Sequence, residues 1–377
     1  IQYSTRPNAF IRYGGWKAGD TLIQPQLAAT LRRIRDNGRD GFYGGETARL
    51  IVEEMKRGGG LITYADLKNY KTAVREAMQS TYRGYTIIGM PLVSSGGILM
   101  QQMLGMTEPY PIGTYGFHSA AAVQLMVEVQ RRAFADRAEY LGDADFVKVP
   151  VRTLTSAAYL RQRMHDFVPG KAGNSQHIKH GSIPPGSEET THLSVYDQWG
   201  NAVAVTTTLN GNYGCRTVVG GAGFLLNNEM DDFSIKPGVP NMYGALGTNA
   251  NAIAPNKRML SSMTPTIVLK NNKPYLVLGT PGGTTIPTQV YQVLLNIVDF
   301  GKTAEEAVWA PRFHHQWMPD VIFVEKEFPT AVRHELPAMG YTVTERGSIG
   351  RFEAIQILNG KIIAVADNRG DDHAAGY

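Results

Sequence analysis

The sequence predicts a layered α+β protein in which sheets are covered by helices. Helix-periodic apolar segments alternate with turns in the first half of the chain, whereas short strands bounded by turn residues recur in the second half. The composition agrees, because 377 residues with 43% hydrophobic and 19% charged side chains are typical of a globular protein with one large or two ordinary domains.

Helices dominate the prediction for the first half. Apolar residues recur at helical spacing in residues 26–34 and 46–56, and the second segment runs into three consecutive glycines. Residues 63–66 resemble a capping box that opens a short helix. A further helix is expected to begin near Ile98, and residues 119–141 should form the longest helix of the chain.

The long helix over residues 119–141 has an apolar side and many charged residues. Val123, Met126, Val127 and Phe134 are expected on its buried side. The charged residues are most simply interpreted as a solvated face. They are Arg131, Arg132, Asp136, Arg137 and Glu139.

Two other segments complete the first half. Residues 82–90 are rich in Tyr and Ile and predict one strand. Residues 166–189 shift to Gly, Pro, Ser, Asn and His, a composition that predicts an exposed and mobile segment.

Strands dominate the second half. Residues 192–196 and 201–208 flank the turn 197–200 and predict a hairpin. Helices are expected over residues 286–300 and after a capping box at residues 303–306. The remaining predicted strands are 264–270, 274–279, 321–324, 341–344, 353–358 and 362–366.

Charge and cysteine content exclude several classes of protein. The net charge of +4 is small for this length, and the basic residues are scattered, so a nucleic-acid partner is not expected. The single cysteine, Cys215, excludes an intramolecular disulfide framework. No apolar run reaches the roughly 18 residues that a membrane-spanning helix needs. The chain begins without methionine and without a signal-peptide pattern, which suggests that an upstream segment has been removed.

Candidate catalytic and binding residues are most frequent from residues 189–192 (ETTH) onward, where a Gly/Pro-rich segment meets the predicted hairpin. A threonine at such a boundary is usually a residue that starts a strand. A catalytic interpretation requires partners: a base for its hydroxyl proton, donors for an oxyanion, and groups that hold a substrate.

Several motifs, taken in order, supply such partners and resemble the small subunit of a γ-glutamyltransferase. They are residues 190–192 (TTH), 201–208 (NAVAVTTT), 225–233 (LLNNEMDDF), 236–241 (KPGVPN), 255–258 (PNKR), 260–263 (LSSM) and 280–283 (TPGG). Residues 82–85 (YRGY), 94–97 (SSGG) and 135–143 (ADRAEYLGD) resemble the large subunit of that family, and the match extends to the terminal residues 375–377 (AGY). The resemblance covers essentially the whole chain.

The resemblance implies a four-layer αββα sandwich of the N-terminal-nucleophile hydrolase type. It also implies a precursor, or zymogen, that cuts itself between Glu189 and Thr190. Residues 1–189 would then be the C-terminal part of the large subunit and residues 190–377 the small subunit, packed together as one domain.

Thr190 is the implied nucleophile, with Thr191 beside it as a secondary contact. A freed α-amino group has a reference pKa of about 8 and can take the proton of the hydroxyl on the same residue. No catalytic histidine is therefore required.

Three other residues match catalytic positions of the family. Thr208 corresponds to the threonine that orients the nucleophile, although on composition alone it is a β-branched residue in a Thr-rich strand. Gly282 and Gly283 correspond to the oxyanion hole, because glycines allow two backbone N–H groups to converge on one oxygen. A Pro-Gly-Gly turn between a strand and a helix is by itself common.

The implied substrate is the α-amino acid head of a γ-glutamyl compound. Asn210, Glu229 and Asp232 match the positions that bind its ammonium group, and Ser261 and Ser262 match those that bind its carboxylate. Without the resemblance, the first group would be interpreted as polar turn residues and the serines as the start of a strand.

Tyr243 resembles the gating tyrosine of a lid loop over the substrate. A Pro-rich surface loop with one aromatic residue would look much the same. The lid matters because relatives that lack it accept bulkier acyl groups.

No metal or cofactor is expected. His314 and His315 are adjacent, so their side chains point in different directions, and no third ligand has suitable spacing. Asp371, Asp372 and His373 are interpreted as structural. The segment around Cys215 departs from the family's small-residue loop, and no catalytic role is assigned to the thiol.

The implied activity is the transfer of a γ-glutamyl group from glutathione or a related amide to water or an amino acid, through a covalent acyl-threonine. A periplasmic or secreted location is expected. Two enzyme alternatives stay open, a related acylase and a poly-γ-glutamate hydrolase, and so does a non-catalytic binding module. The family's large subunit extends further at its N-terminus, where it carries a glycine-rich segment and a carboxylate-binding arginine that this sequence does not contain.

Overall fold

The computed structural model describes residues 3–181, 191–236, 238–242 and 244–377. The chain divides into two compact units. The first combines Ile1–Arg75 with Leu209–Glu229, and the second combines Glu76–Thr208 with Met230–Tyr377. The predicted boundary between subunits at Glu189 divides the chain at a different place and stays a prediction.

The first unit contains four helices around a small apolar core. The helices are α1 (Pro25–Asn37), α2 (Asp40–Tyr43), α3 (Gly45–Gly58) and α4 (Tyr64–Asn69). Leu50 and Ile51 of α3 pack in this core with Val219 and Ala222 from the second segment of the unit. The Thr30 hydroxyl donates to the carbonyl of Ala222 at 2.8 Å, so the core and this hydrogen bond both join the segment to the helices. The predicted helices 26–34 and 46–56 and the capping box at 63–66 are confirmed.

A six-stranded antiparallel sheet forms the centre of the second unit, in the order β1-β2-β5-β6-β10-β11. Its strands are β1 (Met78–Tyr82), β2 (Tyr85–Gly89), β5 (Thr266–Lys270), β6 (Lys273–Gly279), β10 (Glu353–Leu358) and β11 (Lys361–Val365). The prediction of one strand over 82–90 is wrong. Arg83 and Gly84 both have positive φ, at 49° and 80°, and form a tight turn that divides the segment between β1 and β2.

Helices cover one face of this sheet. They are α5 (Gly96–Thr107), α6 (Ala120–Tyr140), α7 (Val151–Leu154), α8 (Ala157–Arg163), α9 (Thr285–Val298), α10 (Ala304–Trp309) and α11 (Thr330–Ala338). The main apolar core lies between them and the sheet, where Leu276 and Leu278 of β6 pack with residues of α5, α6 and α9. A small sheet of β7 (Phe313–His314), β8 (Ile322–Val324) and β9 (Val343–Glu345) completes this unit.

The predicted hairpin is confirmed as β3 (Thr191–Tyr196) and β4 (Ala202–Thr207), and it lies on the opposite face of the six-stranded sheet. A Cβ atom added to Gly279 of β6 would lie 2.0 Å from Nδ1 of His192, so a glycine is needed where the hairpin meets the sheet. Helices, sheet and hairpin form three successive layers, in the order that the predicted sandwich requires.

The outer face of the hairpin is apolar. Leu193, Val195, Val203 and Val205 are 41–56% exposed, whereas the alternate residues of both strands are turned toward the sheet. This arrangement reverses the usual pattern of a two-layer packing, in which the polar side faces water.

The predicted solvated face of α6 is wrong. Arg131, Arg132, Asp136 and Arg137 are all buried. The partners of these guanidinium groups come from the helix itself and from distant parts of the chain: Arg132 pairs with Glu128 of α6 at 2.5 Å and with Asp166 at 2.6 Å. Buried charges require partners, and Asp166 lies too far away in sequence for the helix pattern to indicate it.

The described part of the segment that begins at residue 166 is largely exposed, as predicted, but its backbone is held in place. Between Asp166 and Gly181 the backbone is anchored at several points: the Trp317 indole donates to the carbonyl of Ile178 at 2.9 Å, and the Ser175 N–H donates to Asp320 at 2.7 Å. Residues 182–189 lie outside the described residues. None of the helices in the described parts of the chain is long and apolar enough to cross a membrane.

Candidate active site

The predicted nucleophile Thr190 and the predicted gating residue Tyr243 lie outside the described residues. The hairpin beside Thr190 is described. Its register pairs Thr191 with Thr207, and Thr208 follows this last pair as a half-buried residue. Thr208 therefore lies at the same end of the hairpin as Thr191, the residue that follows the predicted nucleophile in the sequence.

His192 holds the two strands together. Its ring nitrogens lie 2.9 Å from Thr206 Oγ1 and 3.0 Å from Ser194 Oγ. Burial lowers the pKa of His192 to about 4, so the ring is neutral at pH 7.

Gly282 and Gly283 form a turn between β6 and α9. The carbonyl oxygens of both glycines accept hydrogen bonds. The Thr285 hydroxyl donates to the Gly282 carbonyl at 2.6 Å, and the Ile286 N–H donates to the Gly283 carbonyl at 3.0 Å. Within the described ranges, by contrast, the N–H groups of Gly282 and Gly283 donate to no acceptor. The turn therefore presents two unused donors at the N-terminus of a 14-residue helix, where the helix dipole also favours negative charge.

Both glycines adopt backbone conformations that other residues avoid, with φ of 137° at Gly282 and 64° at Gly283. Gln289 fixes the preceding residues, because its amide accepts from Thr280 Oγ1 at 2.8 Å and donates to the Pro281 carbonyl at 3.2 Å. The turn is thus held by side chains of the helix that it precedes.

The two serines lie on a buried segment beside the loop that precedes α5. The Ser261 carbonyl accepts from the Ser95 N–H at 2.6 Å and from the Ser95 hydroxyl at 2.8 Å, and the Ser94 hydroxyl donates to it at 3.1 Å. Ser262 is fully buried, and its Oγ accepts from Arg137 Nη2 at 2.8 Å. Two predicted carboxylate-binding residues are therefore held by parts of the chain about 125 to 170 residues away.

Asp232 is connected to the same segment by Asn251. The Asn251 side chain donates to the Asp232 carbonyl at 2.5 Å and accepts from the Leu260 N–H at 3.1 Å. Asn251 and Asp232 are both buried. One amide thus joins a predicted ammonium-binding residue to the residue before the serine pair.

Asn210 and Glu229 belong to the first unit. Asn210 Nδ2 donates to the Asn228 carbonyl at 3.2 Å, and the Glu229 N–H donates to the Asn227 side chain at 3.0 Å. Burial raises the pKa of the Glu229 carboxyl above its ordinary value. These contacts bring the two predicted ammonium-binding residues into one loop region.

A cavity of about 190 Å³ lies within the second unit along residues 231–247. This segment carries the predicted lid. Asp231 and Phe233 line the cavity at one end of the segment, and Ala245 and Leu246 line it at the other.

His314 and His315 are buried and engaged with side chains of the second unit. His314 lies 2.9 Å from Thr288 Oγ1 and 2.8 Å from Gln316 Oε1, and His315 lies 3.2 Å from Asp320. Burial lowers the pKa of His314 to about 3. Both rings have positions in the packing that require no metal to explain them.

Sequence reasoning missed three residues of this region: Ser95, Arg137 and Asn251. One signal for Arg137 was available. It follows Met126 by eleven residues, about three helical turns, and so lies on the apolar side of α6. Ser95 and Asn251 gave no comparable signal, because their contacts depend on the fold.

The family model for gamma-glutamyltranspeptidase matches residues 7–377. The chain is 49% identical to the glutathione hydrolase proenzyme of Escherichia coli over 96% of its own length and 63% of that protein. It is 48% identical to the glutathione hydrolase proenzyme of Pseudomonas aeruginosa over 95% of its length and 65% of that protein. The chain thus spans less than two thirds of the length of these relatives.

One solved structure covers nearly the whole chain. The cephalosporin acylase from Bacillus halodurans superposes with a TM-score of 0.83 at 24% identity, over 96% of this chain and 64% of that one. This likeness concerns the fold alone, and it confirms the predicted α+β class. Since the family model covers nearly all of the sequence, the chain belongs to the gamma-glutamyltranspeptidase family.

Proposed function

We propose that this chain is part of a self-cleaving γ-glutamyltransferase and glutathione hydrolase. Its donor is glutathione or a related γ-glutamyl amide, and its acceptor is water or an amino acid. The observation that carries the proposal is the pair of N–H groups at Gly282 and Gly283, which donate to no acceptor among the described residues, in a member of a family whose proenzymes are named for glutathione hydrolysis. A periplasmic or secreted location remains a prediction.

The first chemical step after self-cleavage is attack by Thr190. Its Oγ attacks the γ-carbonyl carbon of the donor while its own α-amino group takes the hydroxyl proton. The carbonyl oxygen becomes an oxyanion, which the N–H groups of Gly282 and Gly283 stabilise. Collapse of the tetrahedral intermediate breaks the amide bond, and the leaving amine takes the proton.

The second step releases the γ-glutamyl group from its ester with Thr190. The α-amino group removes a proton from water or from the acceptor amine, which attacks the ester carbonyl. The same two glycine donors stabilise the second oxyanion. The products are glutamate or a γ-glutamyl acceptor, and Thr190 recovers its proton.

Recognition of the donor requires charge on both sides of its α-carbon. Glu229 and Asp232 supply carboxylates for the ammonium group, with Asn210 as an amide partner. Ser261 and Ser262 supply hydroxyl donors for the carboxylate. These assignments would make the enzyme selective for γ-glutamyl over simple acyl donors.

The test compares the full-length protein with Thr190→Ala, and with Thr191→Ala as the matched control. Denaturing electrophoresis measures self-cleavage, and release of aniline from a γ-glutamyl anilide measures turnover. We expect Thr190→Ala to stay one polypeptide without turnover and Thr191→Ala to be cut. Cleavage and turnover by Thr190→Ala would refute the proposal.

A further inference from the structure

Arg137 is a buried cation directly behind the serine pair. Its side chain is 2% exposed. Nη2 donates to Ser262 Oγ at 2.8 Å and Nε donates to Ser95 Oγ at 3.1 Å. Ser95 in turn donates through its hydroxyl and its N–H to the Ser261 carbonyl. One guanidinium therefore supports both serines, one directly and one through Ser95.

These contacts determine where the hydroxyl hydrogens point. A guanidinium has only donors, so both Ser262 and Ser95 must accept from Arg137. The single hydrogen of Ser95 is then directed to the Ser261 carbonyl at 2.8 Å. The hydrogen of Ser262 has no acceptor in the parts of the chain that the structure describes. In the proposed function its acceptor is an oxygen of the donor.

The charge of Arg137 strengthens that donor. A guanidinium stays protonated at any pH of interest, and burial reduces the screening of its field by water. Accepting from a cation polarises the Ser262 hydroxyl and makes its hydrogen a better donor to an anion. In the proposed function that anion is the α-carboxylate of the donor.

Arg137 also borders the region of the oxyanion turn. A small cavity in the second unit is lined by Arg137, Thr284 and Gln316, and Thr284 directly follows Gly283. Thr284 donates to Gln316 at 2.6 Å. Arg137 thus lines the same cavity as the residue that follows the turn.

We propose that Arg137 is a positioning residue for the donor's α-carboxylate. It touches no substrate, but it fixes the Ser261–Ser262 segment and turns the Ser262 hydrogen toward the carboxylate. The inference rests on the proposed function, because it assumes a γ-glutamyl donor at these serines.

The test uses two anilide donors that differ only in the α-carboxylate: γ-glutamyl anilide and 4-aminobutyryl anilide. In the full-length protein, Arg137→Gln should raise KM for the γ-glutamyl donor by roughly tenfold, since a charge-assisted contact is lost, while kcat changes little. KM for the 4-aminobutyryl donor should stay within about twofold of wild type. Ser95→Ala should show the same selectivity with a smaller effect.

Two further variants separate positioning from general damage. Arg132→Gln removes an equally buried arginine of the same helix, one that pairs with Glu128 and Asp166, and should affect both donors equally. In Ser262→Ala, adding Arg137→Gln should raise KM less than it does in the wild type, because the part of its effect that acts through Ser262 is already lost and only the part through Ser95 remains.

An equal loss for both donors in Arg137→Gln and Ser95→Ala, or additive effects in the double variant, would overturn the inference. If Arg137→Gln does not cleave itself, the positioning role is tested by the donor selectivity of Ser95→Ala and by the double-mutant cycle of Ser95→Ala with Ser262→Ala. Failure of the proposed function itself would look different, since the wild type would then not turn over the γ-glutamyl donor.

Discussion

The two sides of the proposed donor site are built in different ways. The carboxylate side, Ser261 and Ser262, is held by Ser95 and Arg137, which come from distant parts of the sequence. On the ammonium side, Asn210 and Glu229 are held by hydrogen bonds to residues of the loop segment 209–229. The serines of the carboxylate side thus depend on the helix layer of the second unit, whereas Asn210 and Glu229 depend on local loop structure.

The charges also differ. The carboxylate side offers hydroxyls backed by a guanidinium, which does not titrate near neutral pH. The ammonium side depends on carboxylates, and burial raises the pKa of one of them, Glu229. A fall in pH should therefore weaken binding of the donor's ammonium group before it weakens binding of the carboxylate.

The largest effect is expected at the oxyanion turn, which acts on every donor whichever groups its α-carbon carries. In Gly282→Ala, the new Cβ would lie 2.5 Å from Thr285 Oγ1 and 2.7 Å from Gln289 Nε2, at a φ of 137°. We expect kcat to fall by about 10²- to 10³-fold for every donor, as when an oxyanion donor is lost. Steady-state kinetics with γ-glutamyl and 4-aminobutyryl anilides measures this loss.

Gly347→Ala is the matched control, because no heavy atom lies within 4 Å of its added Cβ and its φ is not in the left-handed region. A loss in Gly282→Ala confined to one donor would argue against an oxyanion role for the turn.

The next effect should single out the ammonium side. Glu229→Ala removes a charge-assisted contact of about 1.5–3 kcal/mol and should raise KM for γ-glutamyl and 4-aminobutyryl anilides by roughly 10- to 100-fold. Glutaryl anilide, which lacks the amino group, should be turned over as before, and self-cleavage on a gel should be unchanged. Equal losses of cleavage and turnover would indicate a folding defect instead.

Asn251→Ala should weaken both sides together. It leaves the Asp232 carbonyl and the Leu260 N–H without this amide, at a cost of about 1–3 kcal/mol in the free energy of unfolding. We expect a lower Tm in calorimetry and a higher KM for the γ-glutamyl donor. A stable variant with unchanged KM would show that Asn251 does not couple the ammonium side to the carboxylate side.

The smallest effect concerns pH. A raised pKa means that Glu229 becomes neutral at a higher pH than an ordinary glutamate, whose pKa is about 4.3, so binding of the ammonium weakens as the pH falls toward that range. The ratio of kcat/KM for γ-glutamyl to that for glutaryl anilide should fall on acidification, because titration of the Thr190 amine cancels in the ratio. In Glu229→Gln the ratio should be lower at pH 7 but flat. An acid limb that persists in Glu229→Gln would assign it to another group.

Local signals made much of the fold predictable. Asn271 and Asn272, both with positive φ, form the turn between β5 and β6, and the Thr303–Glu306 capping box opens α10 as expected. Short elements without such signals were missed: α2 and α7 have four residues each, and α11 contains Pro337.

Long-range contacts could not be predicted. The burial of Arg132 depends on Asp166, and the anchoring of residues 166–181 depends on Trp317 and Asp320. The motifs located Ser261 and Ser262, but a motif cannot reveal that Arg137 lies behind them, since only the fold brings the two segments together. The predicted roles of Thr208, Asn210 and Asp232 stay predictions, as do those of Thr190 and Tyr243 outside the described residues.

The central claim is that the chain is cut before Thr190 and that this residue becomes the nucleophile. Intact-mass spectrometry with N-terminal sequencing of the purified full-length protein tests it most directly. We expect two polypeptides, one of which begins Thr190-Thr191-His192. A protein that turns over γ-glutamyl anilide as one uncut chain, or that is cut at another bond, would contradict it.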